Sequence, residues 1–76
     1  MEKIHPDATP INIKDNKQVG WRFEHKYFTF DAIQSNDGRV DVYIILWGDD
    51  QPTDTTWFID WEGVRRYLEI LLKGSG

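Results

Sequence analysis

KYFTFDAIQSNDGRVDVYIILW, residues 26–47, decides the fold. Two arms rich in aromatic and β-branched residues flank Asn36-Asp37-Gly38. Asp37-Gly38 tolerates the positive φ that lets a hairpin turn match the twist of its strands, so the stretch predicts a β-hairpin. Side chains alternate across a strand, so Phe28, Phe30 and Ala32 share one face of the first arm. Val40, Val42, Ile44 and Leu46 share one face of the second, and the two sets together predict the core side. The opposite side then carries Tyr27, Thr29, Asp31 and Ile33 across from Asp41, Tyr43, Ile45 and Trp47. That second side is neither wholly polar nor wholly apolar, which makes it the surface of interest.

Downstream, residues 48–54 (GDDQPTD) form an acidic segment punctuated by Gly and Pro and read as a loop. Thr55 to Ile59 reads as a short strand, and Asp60 is placed to cap a helix from its side-chain oxygen. Residues 61–73 carry the only helical periodicity: Trp61, Val64, Tyr67, Leu68, Leu71 and Leu72 fall on one stripe. Glu62–Arg66 and Glu69–Lys73 are supportive pairs four residues apart. Lys73 suits the negative end of the helix dipole, and Gly74 is the expected C-terminal cap. Gly63 is unfavourable in a first turn by propensity, which points to a close approach of the helix backbone to the sheet. Gly74-Ser75-Gly76 reads as an appended tail.

Upstream, Val19 to Phe23 places Trp21 and Phe23 on one face and Arg22 and Glu24 on the other. Glu24-His25-Lys26 lacks Gly, Pro and Asn, so it predicts either a tight reversal or a bulge within one long strand over residues 19–33. A short edge strand is expected over residues 11–14, followed by a turn at Asp15-Asn16-Lys17. Residues 1–10, with two prolines and no periodicity, read as an extended or mobile arm. His5 is expected in solvent, and His25 in a structural or solvated role.

These elements predict an α+β fold: an antiparallel meander of three to five strands with one C-terminal helix packed on one face. The alternative is a small SH3-like or OB-like barrel with the helix plugging one end. The expected organisation is an arm (1–10), one α+β domain (11–74) and a tail (75–76). Seventy-six residues leave room for one core, and a chain this short buries only about 60% of its unfolded surface. There is no cysteine, which excludes disulfides and thiolate zinc sites. Four Trp, four Phe and three Tyr supply the apolar area instead. No signal-peptide pattern opens the sequence, and no apolar run is long enough to span a membrane. The expectation is a cytoplasmic protein.

The net charge of −4 is unevenly placed. Residues 31–60 hold Arg39 against Asp31, Asp37, Asp41, Asp49, Asp50, Asp54 and Asp60, a net of −6. A field of that sign repels phosphate backbones and favours basic partners. Part of it is also what turns and caps require, since Asp is preferred at both.

Catalytic signatures are missing: there is no nucleophile elbow, no phosphate-binding Gly-rich loop and no His pair at metal spacing. Asp49, Asp50 and Asp54 lack the order of a calcium loop, so a solvated loop is the better reading. No cofactor or metal is expected, and the chain reads as a non-enzyme. Aromatics on the outer face resemble a stacking platform, but acidic surroundings argue against nucleic acid. Tyr43, Trp47, Asp41, Asp49, Asp50 and Asp54, with Tyr27 and Ile45, are the expected contact residues for a larger protein with a basic surface. Inhibitors, immunity proteins and phage-type anti-host proteins behave this way. The competing reading is a small-ligand or glycan-binding module using Tyr27, Tyr43, Trp47 and Trp57. A homodimer pairing outer faces or an edge strand is a third. In a fourth, Ile4, Ile11 and Ile13 fold over the outer face and bury it.

Overall fold

The computed structural model describes residues 3–13 and 17–75, with all of their side chains except those of Ile13 and Ser75. The predicted turn at Asp15-Asn16-Lys17 lies mostly outside them. Among the described residues five strands, β1 (Thr9–Ile13), β2 (Lys17–Glu24), β3 (Phe28–Gln34), β4 (Val40–Leu46) and β5 (Asp54–Phe58), precede one helix, α1 (Trp61–Ser75). The sheet is an antiparallel meander in which each strand pairs with its sequence neighbour, in the order β1-β2-β3-β4-β5. It is open, with β1 and β5 as edges, so the barrel alternative is set aside.

The central hairpin carries the expected register: Phe28 pairs with Leu46, Phe30 with Ile44, and Ala32 with Val42. Its loop is closed by Ser35 N–H to the Arg39 carbonyl (2.8 Å) and Gly38 N–H to the Ser35 carbonyl (3.1 Å). Gly38 takes φ 93°, the left-handed residue that follows a tight turn in a three-residue hairpin loop. The Ser35 hydroxyl hydrogen-bonds the Asp37 carboxylate, which also accepts the Arg39 N–H at 3.1 Å. These two bonds, the hydroxyl's first, hold the Asp37 carboxyl below the usual carboxylate range.

Between β2 and β3 the chain makes a tight reversal rather than one long bulged strand. His25 N–H donates to the Phe28 carbonyl at 2.8 Å, and His25 Nδ1 accepts the Tyr27 N–H at 3.2 Å. An imidazole here does what Asn or Asp usually does in a turn, which is why composition left this turn ambiguous. The same device recurs near the N-terminus, where His5 Nδ1 accepts the Asp7 N–H at 3.0 Å.

The core forms between the sheet and α1. Phe30, Ala32, Val40 and Val42 are sealed from solvent beneath Val64 and Leu68, while Trp61, Tyr67, Leu71 and Leu72 pack around them. Every member of the predicted helical stripe thus meets the core. Asp60 Oδ1 accepts the Gly63 N–H at 3.0 Å, the expected cap. A Cβ on Gly63 would stand 3.1 Å from Phe58 Cδ1, so the close approach inferred from propensity is present. Gly74 does not end the helix, which continues to Ser75. An exposed glycine with nothing within 4 Å of its Cβ position can remain helical in a last turn.

Four further expectations need correction. Leu46 faces the core side but is 45% exposed, because β5 pairs β4 only as far as Ile44 and leaves Leu46 flanked by β3 alone. Strand β5 begins one residue earlier than expected, and Ile59 stands outside it, exposed. Residues 3–8 fold back instead of extending: Ala8 N–H bonds the His5 carbonyl (3.0 Å), and Ile4 and Ala8 are buried in the core cluster. His5 is half-buried with its ring 4.3 Å from that of Phe23.

Candidate functional site: the outer sheet face

Both the helix and the N-terminal residues pack on the side of Phe23 and Phe30, so the opposite side of the sheet keeps its aromatics uncovered. Ile4, expected on the outer face in the covered reading, is buried in the core instead. Ile11 pairs with Gly20 at the β1 edge, three strands from Tyr43. The Ile13 side chain lies outside the described residues.

Register places the outer side chains in three rows. The middle row runs Arg22, Asp31, Tyr43, Thr55. Its centre is a forked ion pair: Arg22 Nε to Asp31 Oδ1 at 2.8 Å and Arg22 Nη2 to Asp31 Oδ2 at 3.1 Å. Asp31 is only 7% exposed, and the pair satisfies a carboxylate that the sheet would otherwise strand. The Asp31 hydrogen bond, followed by its charge, raises the Arg22 pKa above its ordinary value. One row toward the β4–β5 loop run Glu24, Thr29 and Ile45; one row the other way run Gly20, Ile33, Asp41 and Trp57.

Two hollows flank the middle row. The first, about 420 Å³, is walled by Glu24, His25, Thr29, Ile45, Trp47 and Asp49, among others. Trp47 follows β4, its N–H donating to the Tyr27 carbonyl at 3.0 Å, and is 81% exposed. The loop behind it is fixed by Gly48 at φ 92°, Asp49 N–H to the Leu46 carbonyl (3.0 Å) and the Thr53 hydroxyl to Asp49 Oδ2 (2.7 Å). The second hollow, about 290 Å³, is walled by Arg39, Asp41, Tyr43, Thr55, Thr56 and Trp57. There the Arg39 guanidinium sits 5.3 Å from the Trp57 ring centre and pairs with Asp37 at 3.1 Å.

The structure thus brings together most of the residues singled out from sequence. Asp41, Tyr43 and Ile45 share β4's outer side, Trp47 and Asp49 close one end, and exposed Tyr27 adjoins Trp47. Asp50 is exposed in the loop. Asp54 does not join them. It pairs with Ile44, on the helix side, where its charge contributes to raising the Tyr67 pKa. Alternation across β4 and β5 fixes that side, and a loop reading of Asp54 hid it. Glu24, His25, Arg39 and Thr55 are among the residues that sequence reasoning did not assign to the face. Glu24 was legible through the alternation that placed Arg22, whereas the positions of His25 and Arg39 depend on turn geometry.

The acidity of the central third is largely spent on structure. Asp31 pairs with Arg22, Asp37 builds the hairpin turn, Asp49 holds Thr53 and Asp60 caps α1. Among the described residues no three His, Asp or Glu converge as metal ligands, and no helix is long and apolar enough to cross a membrane. No family model, curated protein or solved structure matches the chain.

Proposed function

We propose that this chain is a small acidic protein-binding module whose outer sheet face docks on a basic surface of a larger protein, in the manner of an inhibitor or immunity protein. The observation that carries the reading is the uncovered state of that face. Trp47 and Trp57 stand 81% and 53% exposed on it, while helix and N-terminal residues both serve the other side. Large apolar side chains grouped on one face are costly to leave in water and typical of binding anchors. Glu24 and Asp41 line the hollows beside them and Asp50 is exposed in the loop after Trp47, all three without an ion-pair partner among the described residues, which favours a basic counterpart.

Such a module acts by occlusion: aromatic anchors supply affinity, and the carboxylates speed encounter and reject acidic partners. The test is capture from lysate with the wild-type chain beside Trp47→Ala, followed by measured affinity for whatever differs. Loss of a basic protein with Trp47→Ala, and association that slows as salt rises, is the expected result. Binding that survives Trp47→Ala combined with Asp49→Asn and Asp50→Asn within a few-fold would refute the reading. Asp54→Asn is expected to leave affinity unchanged, since that carboxylate lies on the helix side.

A second reading, a glycan or small-ligand module, draws on the two Trp-walled hollows. It predicts Trp fluorescence changes with oligosaccharide and little dependence on salt.

A further inference from the structure

We propose that the hollow beside Trp47 receives the guanidinium of an arginine side chain presented by the partner. This rests on the docking-face reading and adds the chemical group recognised.

The walls offer two carboxylates, Glu24 and Asp49, two aromatic rings, Trp47 and His25, and no Lys or Arg. The Thr53 hydroxyl occupies Asp49 Oδ2 at 2.7 Å, which orients that carboxylate and leaves Oδ1 free to accept. The Glu24 carboxylate makes no hydrogen bond among the described residues; the Arg22 guanidinium, forked onto Asp31, acts on it only through charge. The Tyr27 N–H fixes the His25 ring through Nδ1, so the imidazole stands as a wall.

The chain itself shows what such a place holds. Lys3 lies 5.9 Å from the ring centre of Trp21, Lys26 lies 5.0 Å from Tyr27, and Arg39 lies 5.3 Å from Trp57. The Arg39 case is closest in kind. A guanidinium rests on an indole at the other end of the same face, held by the Asp37 carboxylate. Trp47, the most exposed tryptophan, has no cation over it among the described residues. Its hollow is the same combination of indole and carboxylate with the cation missing.

Arginine fits better than lysine. A planar guanidinium can stack on the indole while its edge N–H groups reach carboxylates on either side. An ammonium is a point charge that satisfies one demand or the other. The fixed loop at Gly48–Thr53 also means that little ordering is required when the group enters.

The test is an NMR titration of the full chain with N-acetyl-arginine amide and, separately, N-acetyl-citrulline amide, which keeps the shape and removes the charge. Arginine is expected to give saturating shifts at the Trp47 indole N–H and the Thr29, Ile45 and Asp49 amides. Glu24→Gln with Asp49→Asn should weaken binding about tenfold, in line with lost charge-assisted contacts, and Asp41→Asn should not. Equal responses to citrulline, no response to either probe, or shifts centred on Trp57 would each overturn the assignment. The two proposals separate on the partner itself. Partner binding lost in Trp47→Ala but normal in Glu24→Gln/Asp49→Asn overturns the arginine hollow and leaves the docking face. An arginine response combined with partner binding indifferent to Trp47→Ala does the reverse.

Discussion

Gly20 shows how one missing methyl fixes a sheet. Its backbone runs so close to β3 that an added Cβ would stand 1.9 Å from the Ala32 carbonyl oxygen, an overlap with main chain that no rotamer relieves. The neighbouring β1–β2 register also shifts between Ile11 and Asn12. Gly20→Ala is therefore expected to destabilise strongly, read as a large fall in the denaturant midpoint. Gly74→Ala, with nothing within 4 Å, should be neutral or gain up to about 1 kcal/mol from helix propensity. A tolerated Gly20→Ala would show that β2 and β3 can separate without penalty. Trp21 carries the opposite imbalance: its indole N–H is buried without an acceptor among the described residues, at a cost of about 1–3 kcal/mol. The large apolar area that it buries offsets this.

At the scale of elements, the helix was legible because its signals agree: a 3.6-residue apolar stripe, an Asp cap and opposite charges four apart. The central hairpin was legible for the same reason, with alternation in both arms and Asp-Gly between them. The β2–β3 reversal was ambiguous because a histidine performs a role usually taken by Asn or Asp. The fold of residues 3–8 was not legible because the burial of Ile4 and Ala8 alone leaves no period to read. The outer face was legible as a set of residues through strand parity, but its hollows depend on how two loops turn, which parity does not encode. The contact between α1 and β5 yields a prediction of its own. Burial, and then the charge of Asp54, hold the Tyr67 hydroxyl above its ordinary pKa, so the folded chain favours the neutral phenol. This contribution is intact below the ordinary phenol value of about 10 and is lost as pH rises through the higher folded value. The alkaline fall in stability should shrink in Tyr67→Phe and, by a smaller amount, in Asp54→Asn. Unchanged alkaline profiles in both would remove Tyr67 as its source.

Across the whole molecule the two sides of the sheet divide the work. One side carries the helix, the N-terminal residues and nearly all sealed apolar groups; the other carries a forked ion pair between two hollows. Trp47→Ala should therefore leave thermal stability nearly unchanged, because the residue is 81% exposed, so a loss of binding in that variant reports on the surface and not on folding.

The meander has a kinetic consequence. Because every strand pairs with its sequence neighbour, the sheet can zip from local hairpins, with little loop closure to pay before contacts form. Burial of Ile4 in the core cluster that Leu68 and Leu72 share joins opposite ends of the chain and brings no such head start. It is expected to form after the rate-limiting step. Ile4→Ala is then expected to accelerate unfolding while refolding stays at the wild-type rate, seen as movement of one chevron arm only. If the refolding arm moved instead, the ends would meet early, and this protein would begin to fold by closing on itself.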